Sequence, residues 1–236
     1  TFANESEAMD QLYHALLAFY DRYPELASKP LYIAGQSYAG KYIPQLAMRI
    51  ISVHRVNQKI NLKGILIGDG WVNPKIQQSC NAAFSYTHGL IDKNTQQQIR
   101  TIYRQCAKEI DKKFPSTHQA HRVCSKMQQV IRQKSGITNM ANHYRNIEPK
   151  DRLMVEYLNQ KEVRDALHVA ANAPHFSAFS EMVSHILEIG EQDSVAPLYA
   201  ALMKRNIRVL IYNGLDDATD SNFMGTDRWL SELIWV

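Results

Sequence analysis

The sequence is poor in cysteine, in net charge and in long apolar runs, and each shortage excludes a class of protein. Its 236 residues include three cysteines, Cys80, Cys106 and Cys124, and carry a formal net charge of +4. Lysine and arginine are scattered rather than grouped beside aromatic residues, so we expect no nucleic-acid partner. No apolar run approaches the roughly 18 residues that a membrane-spanning helix needs, so we expect no membrane partner either.

Cysteines and histidines give no sign of a metal centre. Neither a Cys-x-x-Cys spacing nor a cluster of histidines indicates a zinc site, so we expect no metal and no cofactor. With 45% hydrophobic and 21% charged residues, the composition is that of an ordinary globular chain of one or two domains. Function must therefore be inferred from motifs.

The most informative segment runs from Gly35 to Gly40 and reads Gly-Gln-Ser-Tyr-Ala-Gly. It follows an apolar segment that begins at Leu31 and precedes apolar residues at helical spacing. A strand, a tight turn around a serine flanked by small residues, and a helix form a nucleophile elbow. The alternative is an ordinary strand-to-helix turn. Ser37 is the candidate nucleophile, and the backbone N–H of Tyr38 is the candidate oxyanion donor.

Apolar patterning predicts both strands and helices. Buried parallel strands are predicted over Leu31 to Gly35, Lys63 to Gly68 and Arg208 to Asn213. Helices are predicted over Glu5 to Tyr23, Gln98 to Ile110 and Gly225 to Val236. Their stripes are Leu12, Leu16, Phe19 and Tyr23 in the first helix, and Ile99, Ile102, Tyr103, Cys106 and Ile110 in the second. Pro44 should kink or restart the helix after the elbow, because it lacks a backbone N–H.

The segment from Gly35 to Pro44 resembles the elbow of serine carboxypeptidases, whose usual form is Gly-Glu-Ser-Tyr-Ala-Gly-Lys/His-Tyr-x-Pro. Three further segments resemble the same family: Gly64 to Gly70 with Asn73-Pro74, Val163 to Val169, and Val209 to Gly214. The chain as a whole resembles the vitellogenic-carboxypeptidase-like members in particular. The resemblance implies an enzyme that releases C-terminal amino acids from peptides with a free C-terminus. Two alternatives stay open: an inactive binding or protective member, and a carboxypeptidase-like acyltransferase or esterase.

The implied fold class is α/β, with an α/β-hydrolase type, mostly parallel sheet that is incomplete here, and with a helical lid insertion. Residues 1–75 would form the first part of the core, residues 76–205 the lid, and residues 206–236 the second part of the core. Amphipathic segments such as Val123, Met127, Val130 and Ile131 either cover a binding cleft or stabilise a helical subdomain. Too few strands precede the elbow for a complete fold, so we expect an internal fragment.

A hydrolase of this type needs an acid and a base after the serine, in the order Ser, Asp/Glu, His. Asp217 matches the family's acid, three positions after Gly214, and Asp216 is its rival by register. No histidine follows Asp217, because the sequence contains only His14, His54, His88, His118, His121, His143, His168, His175 and His185. We interpret His168 as a packed or surface residue. The family's Gly-Gly-Pro-Gly turn, which supplies a second oxyanion donor, is also missing, so this chain should be a poor catalyst.

Gln36 is the departure that bears on substrate binding. The family's Glu at this position belongs to a hydrogen-bonded carboxyl pair that binds the substrate's C-terminal carboxylate, preferentially at acidic pH. Two such carboxyl groups share a proton, whereas the amide of Gln36 donates a hydrogen bond but cannot titrate. We therefore expect a weaker acid dependence or an altered substrate.

The family implies a lysosomal or secreted protein with disulfides, and the three cysteines all lie in the lid. Being odd in number, they leave two alternatives: a bond to a residue outside this chain, or buried thiols. Asn4 begins the only sequon, Asn4-Glu5-Ser6, and could carry a glycan there. Alternatively, Asn4 is the N-cap of a helix, with Glu7 three residues later. The oligomeric state is open, with a homodimer as one option.

Overall fold

A computed structural model describes residues 4–53, 60–145 and 151–234. Its sheet has three parallel strands in the order β1, β2, β3: β1 (Leu31–Gln36), β2 (Leu62–Gly68) and β3 (Arg208–Tyr212). Each predicted strand is present, with its bounds shifted by about one residue. The expectation of buried strands is correct for β2 but wrong for β1 and β3, where alternate residues such as Tyr32 and Leu210 are exposed on one face.

Helices make up most of the remaining described chain. They are α1 (Glu5–Arg22), α2 (Ala39–Ser52), α3 (Pro74–Gln78), α4 (Asn81–Thr87), α5 (Lys93–Ile110), α6 (His118–Cys124), α7 (Lys126–Ser135), α8 (Asp151–Leu158), α9 (Lys161–Ala166), α10 (Glu181–Leu187), α11 (Ala196–Met203) and α12 (Phe223–Ser231), with short 3-10 turns at Pro24–Leu26 and Met140–Asn142. The segments between β2 and β3 that the structure covers contain helices and no strand, as expected. None of the helices in the described ranges is long and apolar enough to cross a bilayer. The α/β class is confirmed.

The buried face of α1 differs from the apolar stripe that the sequence indicated. Met9, Tyr13, Leu17 and Tyr20 are buried, whereas Leu12, Phe19 and Tyr23 from the predicted stripe are exposed and Leu16 is partly buried. Both faces of α1 carry apolar residues, so periodicity alone could not select between them, and packing against α2 does. The N-cap interpretation of Asn4 is confirmed, because its Oδ1 accepts a hydrogen bond from the Glu7 N–H at 2.9 Å.

Helix α2 runs through Pro44 without restarting, contrary to one of the two expectations. Because Pro44 has no N–H, the carbonyl of Gly40 one turn earlier lacks its usual helical donor. The hydroxyl of buried Tyr199 donates to that carbonyl at 2.7 Å instead. A side chain from α11 thus replaces the hydrogen bond that proline removes, and the helix continues.

Two hydrophobic clusters organise the described residues. The first lies beneath the sheet and joins α1, α2, α11 and α12 to its strands. The second joins helices between β2 and β3 to Ala218 and the start of α12. It includes Val123, Met127 and Ile131, so these residues stabilise the helices against one another. Cys106 and Cys124 form a disulfide within this cluster, and Cys80 is a buried free thiol.

The turn at residues 190–193 connects the insertion to the elbow helix. The ammonium group of Lys41, which is 1% exposed, donates to the backbone carbonyls of Gly190 at 2.5 Å, Asp193 at 3.1 Å and Glu191 at 3.2 Å. The indole N–H of Trp71 donates to the Glu191 carbonyl at 3.1 Å. Burial lowers the pKa of Lys41, and the nearby carboxylates of Glu5, Asp193 and Glu191 act against that shift. This buried amine holds the turn against α2.

Candidate active site

Ser37 lies in a strained turn between β1 and α2, as the elbow motif predicts. Its φ is +58°, in the left-handed region that residues other than glycine rarely adopt, and Ser37 is exposed. A Cβ atom at Gly35 would lie 2.5 Å from the Ala39 Cβ and 2.8 Å from the Ile43 Cδ1. Only glycine therefore allows β1 and α2 to approach this closely. The Ser37 N–H donates to the Gly68 carbonyl at 3.0 Å, which anchors the turn to β2.

The register of the sheet brings three strand ends to one edge. Gln36 is aligned with Gly68, and Gly68 is aligned with Tyr212. The next residues along the three strands are Ser37, Asp69 and Asn213, so all three stand at the carboxyl edge of the sheet. Ligands of open parallel sheets bind at this edge.

Asp69 connects the three strand ends, although sequence analysis did not single it out. Its φ is +45°, and its Oδ1 accepts from the Gly214 N–H at 2.7 Å and from the Asn213 amide at 3.1 Å. Its Oδ2 accepts from the Gln36 amide at 3.4 Å. The available signal was its place between two glycines, directly after the central strand. Gln36 thus has a carboxylate partner.

Asp217 follows β3 and is buried, with 5% of its surface exposed. Its Oδ1 accepts from the Thr219 N–H at 2.8 Å. Burial raises the pKa of Asp217, and the Asp69 charge adds to this, whereas the hydrogen bonds from Thr219 and the charge of His143 oppose it. Its rival, Asp216, accepts through its backbone carbonyl from the His143 N–H at 3.0 Å, and the His143 Nδ1 lies 2.6 Å from the same oxygen.

Tyr38 precedes the first residue of α2, so its backbone N–H is one of the groups that a helix N-terminus leaves without a helical acceptor. Its hydroxyl donates to the Leu187 carbonyl at 3.4 Å. Burial strongly raises the pKa of Tyr38, so the phenol remains a neutral donor. A cavity of about 450 Å³ lies between Tyr38 and Tyr42 on one side and α10 on the other, with Phe179, Val183 and Leu187 in its wall.

His143 lies close enough to Asp217 for its charge to act on that carboxylate. Within the ranges that the structure covers, no imidazole forms a hydrogen bond with the hydroxyl of Ser37 or with the carboxylate of Asp217. His88 contacts the Phe84 carbonyl at 2.8 Å, and His168 is exposed, as expected. His54 lies outside the described residues. That the catalytic base is missing from this chain stays a prediction.

Comparison with known proteins gives a consistent result. The family model described as serine carboxypeptidase matches residues 1–236. Serine carboxypeptidase S10 family member 1 of Dictyostelium discoideum is 29% identical over 237 residues, covering 98% of this chain and 56% of that protein. The human probable serine carboxypeptidase CPVL is 32% identical over 240 residues, covering 95% of this chain and 49% of that protein.

Among solved structures, the prohormone-processing carboxypeptidase Kex1(Δ)p of Saccharomyces cerevisiae superposes with a TM-score of 0.80 at 20% identity. The match covers 98% of this chain and 53% of that one, and it shows a shared α/β-hydrolase fold. The chain spans about half the length of the curated relatives that it matches. The match of the family model over the whole chain shows that it belongs to the serine carboxypeptidase family.

Proposed function

We propose that this chain is the nucleophile-bearing part of a serine carboxypeptidase that releases C-terminal amino acids from peptides. The observation that carries the proposal is the elbow: Ser37 is exposed at φ +58°, where Gly35 admits no side chain. In this role the Ser37 hydroxyl attacks the last peptide carbonyl, and Asp217 orients the base that takes the proton. The Tyr38 N–H stabilises the oxyanion, a type of contact whose loss costs about a hundredfold in rate.

We further propose that the base and the second oxyanion donor come from outside the residues described. No histidine whose contacts the structure gives is placed as the base. The chain also spans only about half the length of its relatives. Residues 1–75 and 206–236 would then form the hydrolase core, with residues 76–205 as the lid. The chain by itself should turn over substrate very slowly.

Gln36, oriented by its hydrogen bond to Asp69, is proposed to bind the substrate's C-terminal carboxylate. The Gln36 amide has two N–H groups, and the bond to Asp69 at 3.4 Å uses one of them. The second can donate to a peptide carboxylate. Because an amide does not titrate, the chain should bind free C-termini with little acid preference.

The cellular setting is proposed on the same basis. The Cys106–Cys124 disulfide supports an oxidising compartment, lysosomal or secreted, where Asn4 could be glycosylated. We propose a homodimer as the assembly state.

Peptide binding tests this function on the chain as it is. Calorimetry should show a peptide with a free C-terminus binding at least tenfold more tightly than its C-terminal amide, and Gln36→Leu should abolish the difference. Gln36→Glu should introduce an acid preference, because two neighbouring carboxyl groups share a proton and so present a neutral donor to the anion. Gln36 is exposed, so both variants should fold. Equal affinity for the two peptides, or no binding of either, would contradict the proposal.

The binding-only alternative rests on one observation, the absence of an imidazole partner for Ser37 among the described residues. An inactive member would bind free C-termini but show no chemistry at Ser37 when a base is supplied. An esterase or acyltransferase would acylate Ser37 without distinguishing acid from amide peptides.

A further inference from the structure

A cluster of imidazole and carboxylate groups joins two helices on the far side of the cavity from Tyr42. His118 and His121 lie on α6, whereas His185 lies on α10 and Glu188 and Glu191 follow it. The sequence predicted no metal site, because it shows neither a Cys-x-x-Cys spacing nor a cluster of histidines, and these histidines lie on segments far apart along the chain. The fold brings them together.

Glu188 is the centre of the cluster. Its Oε2 lies 2.7 Å from the His118 Nδ1 and 3.7 Å from the His185 Nδ1. One donor atom from each of these three residues lies within 4.8 Å of the other two. The Glu188 side chain is 22% exposed, so an ion from solvent can reach its carboxylate oxygens.

His121 and Glu191 support this centre from one side. The Nδ1 of His121 is hydrogen-bonded to the Glu191 carboxylate, and its Nε2 faces the Oε1 of Glu188 at 3.8 Å. A carboxylate that accepts a hydrogen bond from one ring nitrogen fixes the ring orientation, and in the neutral imidazole the lone pair then lies on the other nitrogen. This arrangement is typical of histidines around protein-bound metals.

We propose that His118, His185 and Glu188 bind a divalent transition-metal ion of the Zn²⁺ class, with His121 positioned as a fourth ligand. Two or three imidazoles with one carboxylate form a donor set that suits Zn²⁺ and Cu²⁺ better than Mg²⁺ or Ca²⁺. Binding would draw the donor atoms inward until each lay about 2.0–2.2 Å from the ion. His185 can make that movement because its side chain is 71% exposed.

The site would fix one wall of the cavity beside the elbow. Helix α6 is held to α5 by the Cys106–Cys124 disulfide, whereas α10 reaches the elbow through the bond between Tyr38 and the Leu187 carbonyl. An ion shared by α6 and α10 would tie the cavity wall to the disulfide-linked helices. This inference does not depend on the proposed peptidase activity, because binding is measured without turnover.

Calorimetric titration of the 236-residue chain with ZnCl₂ in a non-chelating buffer tests the site. We expect one Zn²⁺ per chain, with affinity at least a hundredfold weaker in Glu188→Gln and His185→Asn and about tenfold weaker in His121→Asn. His175→Asn is the matched control, because His175 is an exposed histidine of the same insertion outside the cluster, and it should bind as the parent does.

Electron paramagnetic resonance with Cu²⁺ identifies the ligands independently. The hyperfine pattern of the parent should report at least two imidazole nitrogens, and His185→Asn should remove one of them while His175→Asn removes none. Circular dichroism checks that each variant is folded. Zn²⁺ affinity unchanged by Glu188→Gln and His185→Asn, or no binding by the parent chain, would overturn the proposal and leave the cluster as hydrogen-bonded ion pairs.

Discussion

Ser37 occupies a backbone conformation that disfavours any residue with a Cβ atom. The strain is held by the hydrogen bonds of Ser37 to Gly68, Gly40 and Trp71, all between 2.9 and 3.0 Å. Such strain is of the order of 1–3 kcal/mol and persists only where surrounding structure fixes it. In this molecule the same turn exposes the hydroxyl, so the cost in stability accompanies the candidate chemistry.

Replacing Ser37 by glycine should stabilise the chain relative to alanine. Both variants remove the hydroxyl, but only glycine relieves the strain at φ +58°. In urea unfolding, the free energy of unfolding of Ser37→Gly should therefore be about 1 kcal/mol higher than that of Ser37→Ala. Ala18, exposed in the middle of α1, gives the control with the opposite sign, because Ala18→Gly should lower the free energy of unfolding by about 1 kcal/mol. Equal stability of the two Ser37 variants would show that the elbow is unstrained.

Asp220 makes stability depend on pH. It accepts hydrogen bonds from Asn81, and from Gln128 at 3.0 Å, and burial raises its pKa from its ordinary value near 3.8 to about 6. The folded chain therefore binds this proton more tightly than the unfolded chain. Its contribution to stability is complete below about pH 4 and falls as pH rises towards about 6, by at most about 3 kcal/mol.

Asp220→Asn should remove this part of the pH profile. The variant keeps an acceptor for Asn81 and Gln128 but has no proton to lose, so it should gain stability relative to the parent on going from pH 4 to pH 7. The measurement is urea unfolding at both pH values, with exposed Asp21→Asn as control. A gain in Asp220→Asn no larger than that in the control would contradict this account.

At the scale of elements, apolar runs predicted the three strands because each is short, bounded and rich in branched residues. The same reasoning could not choose the buried face of α1, where both faces carry apolar residues, nor foresee how α2 passes through Pro44. That passage depends on Tyr199, which is distant in sequence from Gly40 and meets it only in the folded chain. Local patterns predict elements, and long-range contacts decide how they are completed.

Removing the Tyr199 hydroxyl tests the account of α2. Tyr199→Phe leaves the Gly40 carbonyl buried without a donor, because Pro44 has none to offer, and should cost about 2 kcal/mol in the free energy of unfolding. Tyr32→Phe removes a hydroxyl from an exposed residue and should change stability by less than about 0.5 kcal/mol. Equal small losses in the two variants would mean that Gly40 has another donor.

At the scale of the whole molecule, the candidate site was only partly readable from the sequence. Ser37, Tyr38 and Gln36 form one local motif, and Asp217 was nominated through the resemblance to the family, as the acid three positions after Gly214. Asp69 enters through the alignment of β1, β2 and β3, and Glu188 meets His118 only because the fold places the end of α10 beside α6. Both depend on tertiary structure, which no local pattern in the sequence encodes.

The central claim is that Ser37 is a nucleophile whose base lies outside the described residues. The most direct test is labelling of the chain by a fluorophosphonate, followed by mass spectrometry, with and without added imidazole as a substitute base. We predict a single adduct on Ser37 that forms at least tenfold faster with imidazole. Imidazole should accelerate labelling less in Asp217→Asn, and Ser37→Ala should form no adduct. An adduct that persists in Ser37→Ala, or no adduct in the parent even with imidazole, would contradict the claim.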